Sequence, residues 1–508
     1  MRKLWLELAL VFVSLAAIGG LAAWYVNHSG WTLYYGDAEA HLDIARRTVD
    51  SRKPGYDQLG TVWLPLPHLL MLPFVRNNRL WQSGLAGAIP SSACFVCAGM
   101  FLYAAIRRCA AGASAVALTA LGLFALNPNL LYLEAVPMTE SVVLAALMAL
   151  LYFTVLFRQT QSFASVIGAG VACLAASLAR YEGWVVIPFV AIYFLMVGGK
   201  RRWDAAVVFA TIAALGPLYW LGHNWWIYSN PLEFYNGPYS AMSIYRRALA
   251  QNIAPYRGDH DWPAAALYYS TAVRLCAGWT TVAIAIAGLA GVILKRMLWP
   301  VFFAAIPPLF YVWSMHSGGT PIFVPTLWPF SYYNTRYALA ALPLLAIAGS
   351  GLVLLTPQRW RTWIAAALIM LAAAPWLIRP QPSDWVTWKE SQVNSITRRA
   401  WTQAAASSLA GPYHSGQGII TSFSDLTGIL RQAGIPLREA LHDGDEPAWM
   451  AAMTRPDLFL HEEWALTVAG DAVATTIQRS SLKTGPRYHL VQTVKVKGAP
   501  VIEIYKRD

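Results

Sequence analysis

About eleven apolar stretches fill the first three quarters of this 508-residue chain, and no other feature so limits what it can fold into. A helix that crosses a hydrocarbon layer needs about 20 apolar residues. On that basis helices are predicted near 4–26, 85–106, 110–127, 138–157, 162–179, 184–198, 204–222, 273–294, 297–315, 337–355 and 361–379. Only 13% of the residues are charged, against roughly a quarter in a soluble globular protein. The net charge of +12 invites a nucleic-acid reading. The basic residues instead sit in short clusters between apolar stretches, which is the pattern of a membrane topology signal, and nucleic acid is set aside.

If every stretch crosses, Arg2-Lys3, Arg107-Arg108, Arg158, Lys200-Arg201-Arg202, Lys295-Arg296, Arg359 and Arg361 all fall on one side. Short basic loops face the cytoplasm. The N-terminus is therefore expected inside, on an uncleaved first helix, and the C-terminus outside. A compact chain without long inserts suits a prokaryotic plasma (inner) membrane. The outer face receives the loops 27–84, 223–272 and 316–336 and everything after 380. The expected plan is a mainly α membrane domain over 1–379 and an extracytoplasmic α/β domain over 380–508.

In the first outer loop, residues 37–50 place Leu42, Ala45 and Val49 on one stripe, and residues 65–74 are apolar but too short to cross. Two helices lying along the bilayer interface are expected there. The tail reads as a helix over 388–409, a strand over 418–423, a helix through Gln432, a strand over 457–460, and a hairpin of 488–497 with 500–506. It has no glycine-rich phosphate loop. None of the five cysteines lies beyond Cys276, so the tail has no disulfide framework. Cys94 and Cys97 lack the second ligand pair of a metal site and read as packing residues.

A dense run of chemistry-bearing residues follows the first span: Asp37, Glu39, His41, Asp43, Arg46 and Arg47. Asp37 is either a helix N-cap or a general base at the membrane–water border. It shares a helix face with His41, four residues on. Asp43, Arg46, Arg47 and Asp50 have the spacing of a solvated, salt-bridged face. Cations on the outside run against the topology rule. Arg46, Arg47, Arg52 and Lys53 therefore point to a lipid-linked phosphate or to anionic headgroups. Later outer loops present Glu134, Glu140, the run Arg180-Tyr181-Glu182, and Arg336. Glu140 fits a first-turn carboxylate or a functional acid, and Arg180 and Glu182 fit a self-neutralising pair or a site.

Taken in order, Gly36-Asp37-Ala38-Glu39, Pro54-Gly55, Asn127-Pro128, Met138-Thr139-Glu140, Arg180-Tyr181-Glu182-Gly183 and Asn334-Thr335-Arg336-Tyr337 resemble the polytopic glycosyltransferases of the GT-C superfamily. The pattern is closest to the branch of protein O-mannosyltransferases and aminoarabinose transferases, and it covers the membrane part. The resemblance implies a GT-C fold, a polyprenyl-phosphate sugar donor, an extracytoplasmic site and inversion at the anomeric carbon. It makes Asp37 the base for the acceptor hydroxyl, with Glu39 as its catalytic companion. His41, Arg46, Arg47, His68, Glu140, Arg180, Tyr181, Glu182 and Arg336 would bind substrate. Relatives carry Lys-Pro-Pro where this chain reads Gly60-Thr61-Val62-Trp63-Leu64-Pro65-Leu66-Pro67-His68 with no lysine, so the phosphate role passes to His68, Arg46, Arg47 or Arg336. No metal ligands are assigned. A divalent metal on Glu39 with Glu134 or Glu140 stays open, since oligosaccharyltransferase-type relatives use one. The acceptor would be a lipid-linked glycan, an envelope polysaccharide or a protein. The rival reading is a lipid or solute transporter, which calls for inverted repeats and broken mid-membrane helices.

Overall fold

The apolar stretches all fold as helices. The computed structural model describes residues 2–481 and 485–508. Among these, seven helices are long and apolar enough to cross a membrane: Leu4–His28, Leu85–Cys109, Glu140–Thr160, Gly199–Tyr228, Leu298–Ser317, Thr335–Leu354 and Gln358–Ile378. Two more are bent pairs, Ser114–Ala125 with Pro128–Glu134 at 68° and Trp262–Ala277 with Trp279–Leu294 at 107°. The last two, Phe163–Ala179 and Glu182–Val197, are 17 and 16 residues long. At 1.5 Å per residue they reach about 25 Å, short of the hydrocarbon thickness. The eleven expected helices thus correspond to seven full-length ones, two broken ones and two short ones.

Each break has a local cause. Asn127 caps the second helix of the first pair, its Oδ1 accepting from the Asn129 and Leu130 amides, and Pro128 opens that helix where no amide is needed. Gly278, at φ +82°, turns the chain in the second pair through a left-handed conformation that side chains avoid.

The chain divides into two compact units. The first comprises Met1–Ser29, Thr61–Pro67 and Ala88–Glu390 and holds the apolar helices. Its tightest packing is between Trp279–Leu294 and Leu342–Leu354. A Cβ on Gly288 would lie 2.1 Å from the Ala348 carbonyl oxygen, and one on Gly291 1.9 Å from that of Gly351. Small residues let these backbones touch, the usual means of helix association in lipid.

The second unit comprises Gly30–Gly60, His68–Gly87 and Ser391–Asp508. Its strands are β1 (Ile419–Ile420), β2 (Ala440–Leu441), β3 (Trp464–Val468), β4 (Tyr488–Val494) and β5 (Ile502–Arg507), in the order β2-β1-β3-β5-β4. β1 runs parallel to β2 and β3, and β5 pairs antiparallel with β3 and β4, as the expected C-terminal hairpin requires. The strand expected over 457–460 is instead part of a short helix, Pro456–Phe459, started by its proline. The strand lies just beyond it, at Trp464–Val468, and is almost wholly buried.

One core joins all three segments of this unit. Leu42, Ala45, Met71, Val75 and Trp81 pack in the same cluster as Trp401, Leu430, Trp464 and Ile504. This corrects the interfacial reading of the Leu42/Ala45/Val49 stripe: Leu42 and Ala45 have no exposed surface, and Val49 packs partly buried against the same core.

Candidate functional site

The second unit holds the acidic run. Its helix, Gly36–Arg47, is capped by Tyr35, which makes no side-chain bond to the helix start. Asp37 is therefore not the N-cap; it lies in the first turn, where a carboxylate meets the positive end of the helix dipole. It is half-buried. Glu39, two residues on, is buried, and Arg398 and Arg431 each hold one of its oxygens. Arg398 also donates to the carbonyls of Leu33 and Tyr34, at 3.1 and 2.8 Å, and so ties down the chain entering the helix. Gly428 passes so close that a Cβ would lie 2.4 Å from Glu39 Oε1. Both oxygens of Glu39 are thus engaged in holding the helix start.

His41 and His68 form a buried pair, Nδ1 to Nε2 at 2.9 Å. Burial, the His41 ring and Arg47 together push the His68 pKa well below its usual range. His68 is therefore neutral near pH 7 and offers a phosphate a hydrogen bond but no charge.

The expected solvated face is in fact buried. Asp43 accepts from Trp81 Nε1 at 2.9 Å, and burial raises its pKa to about 6 against the pull of Arg431 and Arg46. Arg46 reaches Asp50 from Nε at 2.7 Å, Asn78 Oδ1 at 2.7 Å, and the Val75 carbonyl. It serves as a structural clamp. Arg47 is half-exposed, lies 3.9 Å over the Phe423 ring and donates to the Gln58 carbonyl at 2.5 Å. Arg52 pairs with Glu462 at 2.6 Å, and Lys53 with Asp57 at 3.1 Å.

The first unit gathers Glu140, Arg180, Glu182 and Arg336 into one buried cluster. Arg180 Nη1 donates to Thr139 Oγ1 at 2.6 Å and to Glu140 at 3.2 Å, while its Nε meets Glu182 at 2.9 Å. Tyr311 joins both partners, accepting from Arg180 at 2.8 Å and donating to Glu182 at 2.7 Å. Arg336 bridges Glu140 at 3.4 Å and Glu390 at 3.0 Å. Glu390 also accepts from the amides of Asn334 and Thr335. The Tyr337 ring lies beneath both guanidinium groups, 5.0 Å from Arg180 and 5.1 Å from Arg336. Three carboxylates face two guanidinium groups, an excess of one negative charge. A phosphate therefore gains no net attraction from Arg180 and Arg336 in this arrangement. Tyr181 stands outside the network, donating to the Val62 carbonyl at 2.8 Å and stacking on Phe234.

Sequence reasoning missed Arg398 and Arg431, which lie 359 and 392 positions from the Glu39 they bind. It also missed Glu390 and Tyr311, single polar residues in otherwise unremarked stretches. Among the described residues no three His, Cys, Asp or Glu side chains form a metal ligand set.

No protein-family model matches the chain, and no curated protein matches it. Solved structures do. The crystal structure of ArnT from Cupriavidus metallidurans bound to undecaprenyl phosphate aligns over 98% of this chain and 97% of its own, with TM-score 0.56 and 13% identity. The same protein in the apo state aligns over 98% of both chains with TM-score 0.51 and 13% identity. At this identity the likeness is one of fold: a mainly helical architecture with a small C-terminal sheet, shared with that ArnT structure.

Proposed function

We propose that the chain is a membrane glycosyltransferase that moves a sugar from a polyprenyl-phosphate-linked donor to an extracytoplasmic acceptor, with inversion. The observation that carries this reading is the likeness in fold, over nearly the whole of both chains, to an ArnT crystallised with undecaprenyl phosphate. The first-turn carboxylate Asp37 supplies a group suited to the chemistry. In this reading Asp37 takes the proton of the acceptor hydroxyl, whose oxygen attacks the anomeric carbon as the bond to the phosphate oxygen breaks. The leaving polyprenyl phosphate gains negative charge, which a nearby cation stabilises as it forms.

Arg47 is half-exposed on the same helix but ten positions from Asp37, roughly 15 Å along its axis, so the cation beside the leaving phosphate is not assigned to it. Glu39 belongs to the positioning of Asp37, and the buried His41–His68 pair offers polar contacts. Within the first unit, the Arg180–Glu140–Glu182–Arg336 cluster carries more carboxylates than guanidinium groups once Glu390 is counted, and so is poorly suited to binding an anion. The acceptor class stays a lipid-linked glycan, an envelope polysaccharide or a protein.

The test is a reconstituted assay in proteoliposomes containing radiolabelled polyprenyl-phosphate sugars. A new glycosidic bond, with release of polyprenyl phosphate, supports the reading. Passage of the intact labelled lipid across the bilayer with no bond formed would favour the transporter instead.

A further inference from the structure

Away from the Asp37 turn, the far end of the same helix borders a cationic cavity of about 420 Å³ within the second unit. Arg46, Asp50, Arg76 and Arg438 supply its charges, with Pro54 and Gly55 on the rim. Arg46 follows Asp37 by nine positions, roughly 13 Å along a helix axis. A wider recess of about 690 Å³ adjoins the cavity, sharing Pro54 and Arg438.

The cavity is built on a buried ion pair. Asp50 accepts from Arg46 at 2.6 Å, from Arg438 Nη1 at 2.9 Å and from the Leu437 amide at 3.3 Å. Arg46 in turn holds the carbonyl of Val75. Leu437 and Val75 are the residues just before Arg438 and Arg76. The same buried pair therefore anchors the backbone beside each arginine and fixes where both side chains emerge. Arg76 is exposed and Arg438 has 61% of its side chain accessible. Three guanidinium groups against one carboxylate leave an excess of two positive charges. The adjoining recess adds no positive excess of its own: Arg52 is paired with Glu462, and Glu439 keeps its negative charge, accepting from the Tyr413 and Ser415 hydroxyls and the Gly416 amide, so the positive excess lies in the smaller cavity.

We propose that this cavity is a phosphate-binding site, separate from the Asp37 turn, that takes the terminal phosphate monoester of an anionic ligand. A monoester carries close to two negative charges at pH 7, opposite in sign to the excess. Two guanidinium forks rising from a fixed base suit its oxygens. The phosphate comes either from a soluble molecule or from a lipid headgroup. The site stands on the geometry of this unit alone and does not depend on the glycosyl transfer proposed above.

The test uses the full chain in phosphatidylcholine nanodiscs. Calorimetric titration with inorganic phosphate reads the soluble source, and native mass spectrometry of nanodiscs doped with phosphatidic acid reads the lipid source. Saturable binding in either arm is expected, weakened at least about tenfold in Arg76→Ala/Arg438→Ala and declining with salt. Arg79→Ala, an exposed arginine outside the cavity, should bind as wild type does. Saturation by inorganic phosphate assigns the soluble source, and retention of phosphatidic acid alone assigns the lipid. The proposal is overturned if neither probe saturates, if the double variant binds like wild type, or if Arg79→Ala weakens binding equally. Because both variants alter exposed side chains, a melting curve matching wild type checks their folding.

Discussion

Glu39 and Asp37 stand two residues apart in one helical turn and meet different surroundings. Glu39 is enclosed by two guanidinium groups, and all three side chains are at most 10% exposed. Glu39→Gln removes the carboxylate that both buried cations pair with directly, so a loss of about 3–5 kcal/mol is expected in thermal unfolding of the purified protein. Asp43 has the opposite problem, a charge that burial disfavours. Its carboxyl has a pKa of about 6 when folded, above the value near 4 of an unfolded aspartate. The folded state then holds the proton more tightly, which stabilises it below about pH 4 and ceases to do so as pH rises through 6. Melting curves of wild type should therefore fall from pH 4 to 6 relative to Asp43→Asn, whose amide oxygen still accepts from Trp81. The gap should reach about 2–3 kcal/mol above pH 6. The sequence showed these acids as a group but could not rank them, because what separates Asp37 from Glu39 is two arginines hundreds of positions away.

At the scale of elements, hydrophobic length carried the most information. Every predicted apolar stretch is a helix, since a long run of apolar residues offers few other ways to satisfy its backbone. Whether each is straight was less legible, although Asn127-Pro128 and Gly278 mark the breaks. The first-loop helix shows the limit of pattern reading. A stripe of Leu42, Ala45 and Val49 suits a lipid surface and a protein core equally, and only the fold reveals which face it meets. Short strands were missed for a related reason, as Trp464–Val468 is a mostly apolar five-residue run with no clear alternation to mark it. The glycine contacts make a sharper forecast. Gly291→Ala places a methyl group 1.9 Å from the Gly351 oxygen, so the helix pair must part. A cost of about 1–3 kcal/mol is expected, read as a lower melting temperature in detergent. Gly222→Ala, with nothing within 4 Å of its Cβ, should melt at or slightly above wild type.

For the molecule as a whole, the basic clusters at Arg107-Arg108, Lys200-Arg201-Arg202 and Lys295-Arg296 predict a cytoplasmic side. Alkaline phosphatase fused after Asp508 should be active and the same fusion at Lys200 inactive; the reverse pattern would invert the proposed topology. A fold shared with ArnT over nearly the full length, with Asp37 half-exposed in a first helical turn, frames the central claim. That claim is that one carboxylate draws the proton from the acceptor hydroxyl while a sugar leaves its polyprenyl phosphate. The most direct measurement is the rate of labelled sugar transfer in proteoliposomes by wild type and Asp37→Asn, with melting temperature and donor retention recorded for both. The account predicts a fall of about 10²- to 10⁴-fold in the variant, with melting and donor retention unchanged. Transfer by Asp37→Asn at the wild-type rate would contradict it.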